Sequence, residues 1–130
     1  MPTGRVYSFP REDVANRLWF WRPKILNYPV QGLGADLVAI GRVTAWKRLH
    51  KQNLPVFWQS TVHDSIDLDV DNDLETCYNI CTIVKKAIQD VPLNFERLFN
   101  VPFDLPLNSE ISIGPNLKDQ KEWNETDSNY

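Results

Sequence analysis

The sequence predicts an α+β fold in which an antiparallel sheet is covered by helices, and three observations carry that expectation. Strand-like segments occur as neighbours joined by turns instead of alternating singly with helices, which favours hairpins over a doubly wound parallel sheet. Two long segments carry apolar residues at helical spacing. Between them, Ile66, Leu68 and Val70 alternate strictly with Asp67 and Asp69, the period of a strand with one wet face. A chain of 130 residues with 42% apolar content has material for one core, so a single domain is expected.

Taken in order, Gly4 to Phe9 reads as a short strand stopped by Pro10 and the charged Arg11-Glu12-Asp13 turn. Arg17 to Arg22 is aromatic and β-prone and ends at Pro23, so the two segments suggest a hairpin or a pair of edge strands. Asn27 offers a helix cap, with Pro29 in the first turn where no donor is needed, and a helix is expected from there to about Lys51. Leu33, Leu37, Ile40, Trp46 and Leu49 fall near one side of it, and Arg42, Lys47 and Arg48 form a basic edge. The run from Leu54 to Val70 reads as strand, turn, strand, with His63-Asp64-Ser65 at the tip. Asp71-Asn72-Asp73 supplies cap chemistry for a helix to about Gln89, its apolar stripe being Leu74, Cys77, Tyr78, Cys81, Val84 and Ile88. Pro92 is expected to close that helix. A last strand is expected near Leu107 to Ile113, before Gly114-Pro115, and the polar segment 117–130 reads as a tail beyond a folded portion 1–116.

Five Trp, six Phe and four Tyr are a heavy aromatic load, and such rings bury best against a sheet or another chain. The net charge of −3 has the wrong sign for neutralising phosphates, so the chain alone is expected to bind DNA poorly. No apolar run approaches the roughly 20 residues of a membrane helix, and the first ten residues lack the apolar centre of a signal peptide. A soluble, cytoplasmic protein with no membrane partner is the expectation. Cys77 and Cys81, four apart on one helix, build no disulfide framework and read as buried thiols on a core face.

Two constellations could carry chemistry. A carboxylate at a tight β-turn, here Asp64, is rigid and faces solvent, which suits a hard divalent cation such as Mg²⁺. Asp in a turn is also commonplace for backbone hydrogen-bonding reasons. The segment Asn27-Tyr28-Pro29-Val30-Gln31-Gly32-Leu33-Gly34-Ala35-Asp36 sets two amides among small residues at a helix start. Amides both donate and accept, so they can read the groove edges of a duplex, and an ordinary helix cap is the plainer account. The acidic run from Asp67 to Asp73 imitates a calcium loop, but the sixth and twelfth positions from Asp67 are Asn72 and Tyr78, and from Asp69 they are Leu74 and Ile80. Gly and Glu are required there, so the calcium reading fails in both registers.

Together and in this order, the two constellations resemble motifs of the family A DNA polymerases. In that family an Asn-x-Pro-x-Gln-Gly-x-x-Ala-Asp segment opens a long palm helix, and a His-Asp turn between two strands follows it as the third catalytic motif. The chain matches the first at Asn27, Pro29, Gln31, Gly32, Ala35 and Asp36, and the second at Val62, His63 and Asp64. Thr3-Gly4-Arg5 resembles the hairpin that follows the fingers, and Val101 to Gly114 resembles the closing strand, so the likeness spans Gly4 to Gly114. The resemblance implies the C-terminal part of a polymerase palm of phage type. It implies that Asp64 is one of two aspartates holding a metal pair and that His63 contacts the primer terminus. Asn27, Gln31, His63 and Arg5 would be the contacts to primer–template DNA, and Asp64 with His63 the catalytic residues.

Ser65 departs from the family, which usually has Glu there; His-Asp-Ser occurs in single-subunit RNA polymerases and some phage-like DNA polymerases. The Asn-x-Pro-x-Gln-Gly segment argues for the DNA enzymes. Two-metal phosphoryl transfer sets its cations about 3.5–4 Å apart and needs at least two placed carboxylates. The family's other aspartate lies in a segment resembling Asp-Tyr-Ser-x-Ile-Glu, absent here, as is the fingers pattern that holds the deoxynucleoside triphosphate. The chain opens at Met1 where the family continues from the fingers. The resemblance therefore implies a split polymerase of a phage or bacterial host, inactive without an N-terminal partner chain that completes the Mg²⁺ site and covers Trp19, Phe20 and Trp21. The alternatives are a non-catalytic remnant or binding module, an excised piece of a longer polymerase, and a fragment of a single-subunit RNA polymerase.

Overall fold

The computed structural model describes residues 2–14 and 17–124, without the side chains of 12–14 and 17–19. It is α+β, and every strand pair is antiparallel. Strands β1 (Glu12–Val14) and β2 (Arg17–Trp19) form one two-stranded sheet. Helix α1 (Arg22–Lys51) leads to the hairpin of β3 (Val56–Val62) and β4 (Ser65–Val70). Helices α2 (Leu74–Gln89) and α3 (Val91–Phe99) follow, then β5 (Ser112–Ile113) paired with β6 (Lys121–Glu122). The antiparallel pairing is thus divided among three separate two-stranded sheets among the described residues.

Helix α1 begins five residues before Asn27. Pro23 occupies its first turn, where a missing donor costs nothing, and the Trp21 carbonyl accepts from the Lys24 and Ile25 amides at 3.1 and 3.3 Å. Asn27 is therefore not the cap but a helical residue, and Pro29 lies inside the helix. Its buried stripe is Leu37, Gly41, Ala45 and Leu49, each four residues from the last. Trp46, expected on the apolar side, is 48% exposed and points elsewhere. The small residues set the helix spacing: a Cβ on Gly41 would lie 2.5 Å from Ile88 Cδ1 and 3.2 Å from Val91 Cγ2. Ala45 and Ala87 are fully buried.

Asp73 caps α2, its carboxylate accepting from the Thr76 amide at 2.9 Å. That bond holds the Asp73 carboxyl below its ordinary value. The buried residues of α2 are Ile80, Cys81 and Ala87, so Leu74 and Tyr78 of the expected stripe stay exposed. Helix α2 ends at Gln89 as expected, but Pro92 does more than follow that end. It starts α3, because Asp90 serves as the last cap of α2 and the first of α3 and proline is well suited to a first turn. Asn100, at φ 52°, closes α3 with its amide donating to the Glu96 carbonyl at 2.8 Å.

The core joins Leu37 of α1 to Val91 and Phe95 of α3, and Leu33, Ile40, Phe99, Val101, Phe103 and Leu107 pack around it. The Phe95 ring lies 4.8 Å from that of Phe99 and 5.1 Å from that of Phe103, both tilted. An ion pair ties the same elements at their edge: Asp90 accepts from Arg48 at 2.6 Å and pairs with Lys86 at 3.2 Å.

Three expectations at the ends need correction. Gly4 to Phe9 is not a strand: the chain turns at Pro2-Thr3, and the first strand pair lies at β1 and β2, later than expected. The last strand is only Ser112–Ile113, and the run from Val101 to Ile111 is irregular chain whose apolar residues plug the core. The supposed tail folds back as β6. Asn116 makes that return possible: its side-chain oxygen accepts from the Lys118 and Asp119 amides at 2.9 Å, and Gly114 lets the Asp119 carbonyl approach where a Cβ would lie. Trp123 is then buried, edge-on to Tyr78 at 5.4 Å, with its amide donating to the Ile111 carbonyl at 2.7 Å. Residues 125–130 of that segment lie outside the described residues.

Phe95 is 1% exposed and touches both aromatic neighbours. Phe95→Ala is expected to lower the unfolding free energy by about 3–5 kcal/mol, read from urea denaturation; Leu98→Ala, on the exposed side of the same helix, should cost far less.

Candidate active site

The hairpin of β3 and β4 carries the site. Val62 pairs with Ser65, so His63 and Asp64 alone make the turn. A two-residue connection needs positive φ at its first position to follow the twist of the strands, and His63 has φ 54°. Few non-glycine residues adopt this region readily, His, Asn and Asp being the enriched ones. The turn is closed by Ser65, whose Oγ donates to the Val62 carbonyl at 3.0 Å. Asp64 is exposed and has no hydrogen-bond or ion-pair partner among the described residues.

Alternation in β4 is partly as expected: Ile66, Leu68 and Val70 are half-buried and Asp69 is exposed, but Asp67 is half-buried too. In β3 it is not. The register shifts between Trp58 and Ser60, because Trp58 pairs with Leu68 while Ser60 pairs with Asp67. Gln59 is the extra residue of this bulge. Ser60 Oγ donates to Asp67 at 2.5 Å, and Arg42 Nη1 of α1 donates to Thr61 Oγ1 at 3.1 Å, tying the hairpin to the helix.

Asn27 and Gln31 are four apart on α1 and both exposed, which puts the two amides on one face, one turn from each other. Five residues beyond Gln31, Asp36 receives the guanidinium of Arg5 at both carboxylate oxygens, Nε donating to Oδ2 at 3.3 Å and Nη2 to Oδ1. The N-terminal segment is thereby laid along the first half of α1. Tyr7 completes that contact by setting its hydroxyl where a Cβ on Gly32 would lie. The hydrogen bond from Arg5 holds the Asp36 carboxyl below its ordinary value against the opposing effect of partial burial. Arg5 keeps 44% of its side chain exposed.

The structure therefore joins Arg5 to the Asn27–Asp36 segment and sets His63 and Asp64 at a separate hairpin tip. Among the described residues no three of His, Cys, Asp and Glu gather as a metal-binding group. Cys81 is buried as expected; burial and the neighbouring Cys77 push its thiol up to about 12, so it is a protonated core group. No helix among the described residues is long and apolar enough to cross a membrane. The Arg5–Asp36 pair and the Gln59 bulge were not read from sequence: an ion pair across 31 positions leaves no local signal, and a bulge changes only the parity of a short run.

Compared with protein-family models, with curated proteins and with solved structures, the chain shows no match.

Acid sensitivity follows from Asp36 and Asp90. In Asp90, burial pushes the carboxyl up, and the hydrogen bonds from Arg48 and Lys86 together outweigh it and bring it down. Both groups have folded values below the unfolded one, so their stabilisation is complete above the unfolded value of about 3.9 and is lost as pH falls through the folded values. Stability measured by urea at stepped pH is expected to fall steadily below about pH 4. Asp36→Asn and Asp90→Asn should each lower stability at pH 7 and flatten that acid limb.

Proposed function

We propose that this chain is the C-terminal palm portion of a DNA-directed DNA polymerase resembling family A, and that it supplies Asp64 to a two-metal nucleotidyl-transfer centre. The observation that carries this reading is the hairpin tip: His63 and Asp64 are its two turn residues, and Asp64 presents an exposed carboxylate at the end of the antiparallel ladder. A single carboxylate of this kind suits Mg²⁺, which takes hard oxygen ligands and usually only one or two from protein. When bound, the ions would lower the pKa of the attacking hydroxyl and support the leaving group. The chain's own part is to hold one ligand, Asp64, and to place His63 beside it against the primer end.

Asn27 and Gln31, exposed one turn apart, fit the role of groove contacts to primer–template DNA. Arg5 would add a phosphate contact with the donors that Asp36 leaves open. Ser65 closes the turn through Val62, a local use for this residue where the family usually has Glu; the departure bears on the choice of product and not on the role of Asp64. The second carboxylate and the residues that grip the deoxynucleoside triphosphate would come from a partner chain. Exposed Phe20 and Trp21 fit a surface that such a chain covers, while the Trp19 side chain lies outside the described residues.

The test is a tagged pull-down from the native host with Mg²⁺-dependent primer extension on the eluate. Asp64→Ala is expected to reduce extension by about a thousandfold or more while the complex stays assembled. Full extension by the variant, or its failure to hold the partner, would overturn the reading.

A further inference from the structure

A groove of about 460 Å³ runs between the second half of α1 and the bulged part of β3, lined by Arg42, Val43, Trp46, Trp58, Gln59, Ser60 and Thr61. Its volume lies within the range of about 300–1,000 Å³ in which small-molecule sites fall. We propose that this groove binds an unpaired nucleotide, with the base stacked on the tryptophans and the phosphate held by Arg42.

Four features of the groove support that ligand. Trp46 is 48% exposed although it sits mid-helix, and its indole is stacked on the His50 ring at 5.2 Å with the planes 4° apart. The stack holds the indole in a fixed plane, and a flat, accessible ring is what a nucleobase stacks on. Trp58 supplies a second indole from the strand wall. Next, the bulge at Gln59 lets four consecutive residues, Trp58 to Thr61, line one groove, whereas a regular strand turns every second side chain away. Gln59 thereby brings an amide that can both donate to and accept from a base edge.

Charge is the third feature. The chain is acidic overall, yet α1 carries Arg22, Lys24, Arg42, Lys47, Arg48 and Lys51 against the single acid Asp36. Its segment from Arg42 to Lys51, which lines the groove through Arg42, Val43 and Trp46, has no acidic residue, so the net charge of the chain misstates the field a ligand would meet there. Arg48 is taken by Asp90, which leaves Arg42 as the cation that lines the groove; the Asp67 carboxylate, across the ladder from Ser60, accepts the Ser60 hydroxyl. Arg42 spends one donor on Thr61 and keeps the others. Finally, the site lies within reach of the hairpin tip: Trp58 is six residues from Asp64, at most about 20 Å along the strand. A single strand leaving the tip could therefore seat a nucleotide in the groove.

The inference goes beyond the polymerase reading, and only its last feature, the strand at the tip, rests on that reading. The test uses the 130-residue chain and fluorescence anisotropy of a labelled single-stranded oligothymidylate at low salt, with free deoxythymidine triphosphate as competitor. Binding is expected to weaken about tenfold in Trp46→Ala, to weaken comparably in Arg42→Gln, and to fall as salt rises. Lys118→Gln, which removes a cation from the turn before β6, should bind as the parent does. Competition by the free triphosphate would identify a mononucleotide site, and its failure to compete a strand site; either agrees with the proposal. No binding by the parent, binding unchanged in both groove variants, or equal weakening in Lys118→Gln would overturn it. Asp64→Ala should leave this binding intact, so its loss of extension and a failure of the groove are separate results.

Discussion

The close approach of three helices at Gly41, Ala45 and Ala87 is the constraint on which everything else depends. Where a Cβ on Gly41 would lie, Ile88 and Val91 already stand, so α1 can run close against α2 and the start of α3. That spacing brings Asp90, shared by the ends of α2 and α3, within reach of Arg48 and sets Phe95 under Leu37. Larger residues in the seam would push the helices apart and open both contacts together, because a packed interior yields little to an added methylene. A helix of thirty residues held along its second half becomes a fixed rod to which the less supported parts of the chain are attached.

Two such parts carry the site, and they are fastened differently. The N-terminal segment is held by polar and aromatic contacts, Arg5 with Asp36 and Tyr7 over Gly32, both on the first half of the rod. The β3–β4 hairpin has few apolar anchors: Val56, Trp58, Ile66, Leu68 and Val70 are only half-buried, and Phe57 is 66% exposed. Two strands alone are marginal in water, so the hairpin's rigidity rests on its two-residue turn, on the Ser65 bond and on Arg42 reaching Thr61. The candidate tip thus sits on a hairpin without a fully buried residue, where a further strand or chain would gain by adding to it.

Much of this was legible in the residues because it is local. The apolar side of β4, the His63-Asp64 turn and the Asp73 cap follow from short-range rules that no distant contact overrode. The failures share a cause as well. Asn27 is a good cap, yet α1 starts earlier because Pro23 and the Trp21 carbonyl provide a start upstream, and an amide inside a helix costs little when exposed. Pro92 reads as a stop, yet it is equally a start, and nothing local says that Phe95 will be buried while Leu98 is not. The segment after residue 116 is polar, and its return to α2 depends on one indole, Trp123, finding Tyr78. Mean composition hides a single residue of that kind.

Helix α1 shows how one element can serve two sides. Its buried stripe recurs every four residues from Leu37 to Leu49, and Arg42, Trp46 and His50 recur at the same interval one position further on. The two stripes are adjacent, so the order that packs the first against α2 and α3 presents the second toward β3. With Gly41 and Ala45 buried and Arg42 and Trp46 beside them, the close helix crossing and the groove have a common origin: the small side chains turned inward leave the large ones outside. An apolar face would have hidden Trp46, whereas a polar face would have left the strand wall without an aromatic opposite. The sequence of α1 does neither, and a helix with apolar residues on more than one side, in a small chain with exposed aromatics, has a second surface to fill.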